Sequence, residues 1–284
     1  GMPVGRAAER VLHRLEQRGP TALDVSRAEE RAQAVNATMS ASLDLLTGDN
    51  LDRYQELAVF AEDVAVPPEV LRAYWAATGD LDADEADDLC EELADLSLIE
   101  YTHDPPGLVL QDVLRTYLRV LAGPQRLREL DGVLCDALRT LVPDTAQPGD
   151  AGRPAGGRTP WWTAPKEVDY LWSQLVRHLA GAGRHAELAE LLTDLRWTVA
   201  KLADPQHGPA ALEADLAVAV EALPDNPVLP ALRRALWQNA HLLAPTSPPE
   251  ALAATLLSRL DGIRPLAGPC EQLARRAPVP RLAN

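Results

Sequence analysis

Residues 51–121 constrain the fold more than any other stretch, because their apolar residues switch from helical spacing to short extended runs and back. Leu51, Tyr54, Leu57 and Ala58 recur at helical spacing, and so do Val70, Leu71, Tyr74 and Trp75. Pro67 and Pro68 stand at the start of that second helix, where proline is tolerated. Leu89, Leu93 and Leu96 give a third helix one apolar face. Residues 98–102 and 108–110 read as two short strands, and the HDPPG sequence at 103–107 has the chemistry of a turn between them. A last helix follows, with Val113, Leu114, Tyr117, Leu118 and Leu121 expected on its buried side. Three helices closed by a β-hairpin predict a winged-helix topology.

Charge separates this segment from the DNA readers that share its topology. Asp80, Asp82, Asp84, Glu85, Asp87, Asp88, Glu91, Glu92 and Asp95 run through the third helix, which in such readers enters the major groove. The whole chain carries a formal charge of −15. Affinity for duplex rests on neutralising phosphates, so groove reading is physically disfavoured and no nucleic-acid partner is expected.

The segment resembles the winged-helix domain of STAND-class (NB-ARC) nucleotide-switch ATPases, the family of the apoptotic protease-activating factor and plant disease-resistance proteins. The matching residues are Tyr54-Gln55-Glu56-Leu57-Ala58-Val59-Phe60, Val66-Pro67, Tyr74-Trp75, Leu93-Ala94-Asp95-Leu96-Ser97-Leu98-Ile99, and Leu110-Gln111-Asp112 through Tyr117-Leu118. Downstream, Tyr170-Leu171-Trp172, Val176-Arg177-His178-Leu179, Gly183-Arg184-His185-Ala186-Glu187-Leu188 and Leu195-Arg196-Trp197 are similar to the helical arm that follows this domain in the protease-activating factor. In such relatives the arm leads to a WD-repeat propeller, and no propeller signature occurs in this sequence.

Composition sets the remaining bounds. A chain of 284 residues with 46% hydrophobic content can bury real cores, and its Leu/Ala wealth with a single Phe favours helices packed through aliphatic stripes. The fold class expected is mainly α: a winged helix followed by an array of helical hairpins. Cys90, Cys135 and Cys270 form no CxxC pair or disulfide framework, which suits a reducing cytoplasm. No signal peptide or membrane span is apparent, so no membrane partner is expected. Scarce Lys beside abundant Ala, Leu and Arg suggests a bacterial, high-GC origin. Gly1 before Met2 reads as a purification remnant.

Five segments are expected along the chain. Residues 1–36 are, by the resemblance, the end of a helical lid domain. The winged helix occupies 37–122, a connecting helix 123–142, a Gly/Pro-rich flexible loop 143–160, and the helical arm 161–284. Within the arm, helices are expected near 165–181, 184–203, 208–223, 226–243 and 249–261, with short breaks that imply antiparallel neighbours.

Catalytic constellations are missing from the sequence. There is no GxxxxGK[ST] phosphate loop, GxSxG, HExxH or Cys/His cluster, so neither a catalytic residue, a metal nor a cofactor is expected in this chain. His178 and His185 lie seven residues apart, a spacing that suits one helix face, and read as packing or surface histidines, since no third ligand is spaced to join them. The acidic run lacks the glycine and oxygen spacing of a calcium loop. Trp161 and Trp162 read as anchors of the loop end, with a partner patch as the alternative.

The resemblance also implies a nucleotide-sensing pair. In many relatives the helix after the wing begins with His-Asp, and the histidine touches the β-phosphate of bound ADP. Here the pair is Gln111-Asp112, preceded by Leu110. A Gln amide can donate to a phosphate oxygen but cannot become cationic. The plain alternative leaves Gln111 in water at a helix start, with Asp112 favouring the helix dipole. The resemblance therefore implies a non-catalytic regulatory piece of a STAND signalling ATPase. ADP or ATP would bind the larger protein, which would partner with its own nucleotide-binding domain and propeller and assemble into a homo-oligomer when active. A winged-helix transcription regulator, or a helical-repeat interaction scaffold, are the competing readings.

Overall fold

The computed structural model describes residues 42–62, 64–103, 106–143, 159–243 and 250–276. The expected lid remnant at 1–36, the body of the 143–160 loop and the hairpin tip at 104–105 lie outside the described residues. The architecture is mainly α-helical, with a small antiparallel hairpin among helices, as the periodicity predicts. Two compact units are resolved by internal packing: residues 1–68 with 78–122, and residues 69–77 with 123–284.

In the first unit, α1 (Gly48–Glu56) starts where the Thr47 hydroxyl accepts from the Asn50 N–H at 3.4 Å. It runs into a 3-10 turn (Leu57–Val59) whose residues are all buried. Tyr54, fully buried, donates from its hydroxyl to the Leu98 carbonyl at 3.3 Å. Glu56 is buried too, and Arg53 grips it with two parallel bonds of 2.8 and 2.7 Å. The acidic helix α3 (Ala83–Asp95) opens with a capping box, Asp82 accepting from the Glu85 N–H and Glu85 from the Asp82 N–H, both at 2.9 Å. Its inner face is Ala86, Leu89, Cys90 and Leu93, while Leu96 is only partly covered. The helix stops at Ser97, which takes a left-handed φ of 56° so that Leu98 N–H reaches back to the Leu93 carbonyl at 2.9 Å.

Strands β1 (Glu100–His103) and β2 (Pro106–Val109) pair antiparallel, with Tyr101 opposite Leu108 and His103 opposite Pro106. The strands thus extend further into the HDPPG segment than its reading as a turn suggested. His103, Pro106 and Gly107 belong to the strands, because pairing extends nearly to the tip. Val66, which no periodicity marked as extended, joins the other edge of β2, exchanging bonds of 2.8 and 2.9 Å with Leu108.

After β2 comes α4 (Asp112–Thr140), which is bent at Gly123 (φ 69°, ψ 168°) just before Pro124. Proline disfavours helical geometry in the residue before it, and a glycine takes this conformation without side-chain penalty. The first half of α4 is held by arginines: Arg115 Nε donates to the Phe60 carbonyl at 2.7 Å, and Arg119 Nη1 to the Ala58 carbonyl at 3.1 Å. Leu114 and Leu118 are buried as expected, but Val113 and Leu121 are not, being 54% and 53% exposed. The inward stripe is narrower than the periodicity implied: Leu114 and Leu118 face in, and Val113 and Leu121 fall outside it.

Within the second unit, the residues of α2 (Pro68–Gly79) assigned to it bury Val70, Leu71, Tyr74 and Trp75. The second half of α4 buries Leu130, Leu134, Cys135 and Leu138. Among the described residues seven helices follow: α5 (Asp169–Gly181), α6 (His185–Thr193), α7 (Leu195–Leu202), α8 (Gly208–Ala222), α9 (Val228–Asn239), α10 (Glu250–Leu260) and α11 (Ala267–Arg276). Each packs on the next, and α8 also meets α5 and α6. A single helix over 184–203 was expected, but Asp194 divides it. Its backbone is extended (φ −80°, ψ 99°) and its carboxylate caps the Arg196 N–H at 3.1 Å. The last helix, α11, lay beyond the predicted set; its start is a Gly-Pro pair that reads as a breaker.

Candidate functional site

The Gln111-Asp112 pair sits at the turn between the wing and α4. Leu110 is buried and fixes the turn, while Gln111 and Asp112 are both exposed. The Gln111 carbonyl accepts the first helical bond from the Arg115 N–H at 2.9 Å, which puts Gln111 at the N-cap of α4. The Thr116 hydroxyl donates to Asp112 at 3.4 Å. The Gln111 amide is therefore free to donate outward from a helix N-terminus, where the dipole favours an anion. A phosphate would meet that donor together with the adjacent Asp112 carboxylate, which opposes it. The fit to a nucleotide phosphate rests on the amide and the helix end alone.

The acidic helix keeps its charge at the surface. Asp84, Glu85, Asp88, Glu91 and Asp95 are exposed, while Glu92 is partly covered and accepts from Asn50 Nδ2 at 2.7 Å. Among the described residues no His, Cys, Asp and Glu side chains gather in a group that could hold a metal ion. His178 and His185 do not share a face, since His178 lies inside α5 and His185 opens α6. His178 is fully buried, with Nδ1 2.8 Å from Asp131 and Nε2 2.7 Å from the Tyr170 hydroxyl. Trp161 is buried, and the Arg196 guanidinium stacks 3.4 Å from the Trp162 ring centroid.

The largest polar feature of the arm went unread in the sequence. Trp172 stacks on Trp197 at 4.6 Å, and Lys166 Nζ lies 3.6 Å from the Trp172 ring centroid. Lys201, 1% exposed, contacts Asp215 and donates to the Trp172 carbonyl at 2.7 Å. Burial pushes the Asp215 carboxyl up to about 6, against the pull of the Lys201 ammonium. Burial likewise holds His207 below the ordinary imidazole range, the Asp169 carboxylate opposing that effect. His207 Nε2 is 3.2 Å from Asp169 but off the line of a hydrogen bond. On the surface, Arg184 donates to Asp136 at 2.8 Å through Nη1 and holds its carboxyl below the usual range. These contacts bind helices to one another. A lone Lys or His in a Leu-rich stripe carried no periodic signal that could have exposed them.

Comparison with known proteins bears on the arm most directly. Residues 158–256 match the family described as the APAF-1 helical domain. Over 187 residues the chain is 28% identical to apoptotic protease-activating factor 1 of Rattus norvegicus, covering 62% of this chain and 13% of that protein. The Mus musculus and Homo sapiens proteins of that name are 27% identical over 187 residues and 26% over 179 residues. In each case, the match spans 13% of the relative's length. The chain thus carries, at low identity over part of its length, a region homologous to an APAF-1-type helical domain, a non-catalytic module distinct from a nucleotide-binding core. Among the described residues no helix is long and apolar enough to cross a membrane.

Proposed function

We propose that this chain is the switch-and-arm portion of a STAND-type signalling protein, bacterial and cytoplasmic. An upstream nucleotide-binding domain holds ADP, and the winged helix docks on it to keep the protein off. Exchange for ATP releases the docked face and permits assembly into a homo-oligomer, while the arm links the winged helix to a C-terminal WD-repeat propeller that senses the signal. Such a switch needs two arrangements a few kcal/mol apart, biased by nucleotide.

The observation that carries this reading is the outward-facing Gln111 amide at the N-cap of α4, directly after the wing. The homology of the arm to the APAF-1 helical domain supports it. The carboxylates of α3 weigh against a duplex-reading alternative, since they would meet the phosphate backbone. The test uses the full-length protein. Gln111→His supplies a group that can carry charge, and it should slow ADP release severalfold. Unchanged release would remove Gln111 from the sensing role.

A further inference from the structure

We propose that Lys166 is an acylation site, at which an acyl group carried as a thioester removes the charge that braces the carboxyl end of α7. Of the 27 Lys and Arg side chains in the sequence only two are lysines, Lys166 and Lys201. Both fall in the Trp172–Trp197 cluster of the arm. Lys201 is 1% exposed and paired with Asp215, so no reagent reaches it in the folded chain. Lys166 lies in the turn before α5, with 44% of its side chain open to solvent. An arginine there would carry the same charge but could not be neutralised by acyl transfer.

The Lys166 ammonium makes three contacts. Nζ donates to the Ala200 carbonyl at 2.7 Å, lies 3.5 Å from the Asp204 carboxylate and rests against the Trp172 ring. Ala200 belongs to the last turn of α7, whose carbonyls have no further helical turn to bond. Asp204 stands just beyond that end, where the helix dipole disfavours a carboxylate. One ammonium offsets both. Asp204 in turn accepts from the Gln206 N–H at 3.0 Å, on the way into α8. Partial burial holds the Lys166 ammonium below the ordinary lysine range, against the pull of Asp204, which raises the share of neutral amine. That amine attacks the thioester carbonyl carbon. The C–N bond forms, the C–S bond breaks, and the departing thiolate takes the proton that the nitrogen sheds. The resulting amide keeps one N–H for Ala200 but has no charge for Asp204 or the indole ring. The turn between α7 and α8 then loses its brace. This concerns the arm alone and stands apart from the reading of Gln111.

The test incubates the folded 284-residue chain with acetyl-coenzyme A as the thioester, beside the same chain unfolded in guanidinium chloride, and maps both by mass spectrometry. Lys166 should acetylate about threefold or more faster in the folded chain, while Lys201 should react only in the unfolded one. Hydrogen exchange over residues 199–207 should then quicken about fivefold in the acetylated protein and in Lys166→Gln, and keep its original rate in Lys166→Arg. Circular dichroism melts check that both variants fold, and the acetylated protein needs no substitution at all. Acetylation of Lys166 no faster in the folded chain than in the unfolded one overturns the proposal. So does exchange at 199–207 that acetylation leaves unchanged, or an Arg variant that exchanges as fast as the Gln variant.

Discussion

Lys201 and Asp215 form a buried ion pair whose ammonium also donates at 2.7 Å to the carbonyl of Trp172, tying α7 to α8 and α5 in one contact. Removing one partner strands the other charge in the arm. Lys201→Met should therefore cost about 3–5 kcal/mol, whereas Lys201→Met with Asp215→Leu should cost far less, since both desolvation penalties vanish together. Urea unfolding of the single and double variants measures the difference.

The same pair sets a pH dependence. The folded Asp215 carboxyl titrates at about 6, above the unfolded value, so folding takes up a proton in between. The associated stability is complete below the unfolded value, near pH 4, and is lost as pH rises through the folded one. Asp215→Asn should flatten that fall. His207 works the other way, because its depressed value makes stability rise with pH around its ordinary titration range. Unfolding free energies across this range, with and without Asp215→Asn, separate the two.

Gly181 is required by the Asp131–His178–Tyr170 chain. A Cβ at 181 would fall 2.3 Å from Asp131 Oδ2, the carboxylate whose other oxygen contacts His178 Nδ1. Gly181→Ala should displace Asp131 and leave a buried imidazole short of a partner, costing about 1–3 kcal/mol. Asp131→Asn should cost a similar amount, and the two together less than their sum. A double-mutant cycle from thermal or urea melts reads this directly.

Ser97 holds the C-terminal turn of α3 in a conformation that suits glycine, at φ 56°. Ser97→Gly should stabilise the first unit by about 0.5–1 kcal/mol, and Ser97→Val should destabilise it. If the two substitutions moved stability alike, the left-handed turn would be in doubt.

The winged helix was legible because its signals are local: apolar residues at helical spacing, a Pro-Pro pair at a helix entry, and two short extended runs around a Pro-Pro-Gly turn. The split at Asp194 was not, since an Asp amid Leu and Ala reads as a tolerated helix residue until its backbone is seen. Val113 and Leu121 misled because periodicity marks an apolar stripe without showing how much of it neighbouring elements cover. The Lys201–Asp215 pair was not legible for a related reason, since its partners lie 14 residues apart, beyond helical reach. His178 was read as a packing or surface histidine and is buried, but its partner Asp131, 47 residues away, could not be named.

Hydrogen exchange across residues 106–118 in the full-length protein, with ADP and then ATP, tests most directly whether this module is a nucleotide-biased switch. The account predicts that ADP slows exchange at the β2 strand and the first turn of α4, and that ATP releases it. Identical exchange with both nucleotides would contradict it.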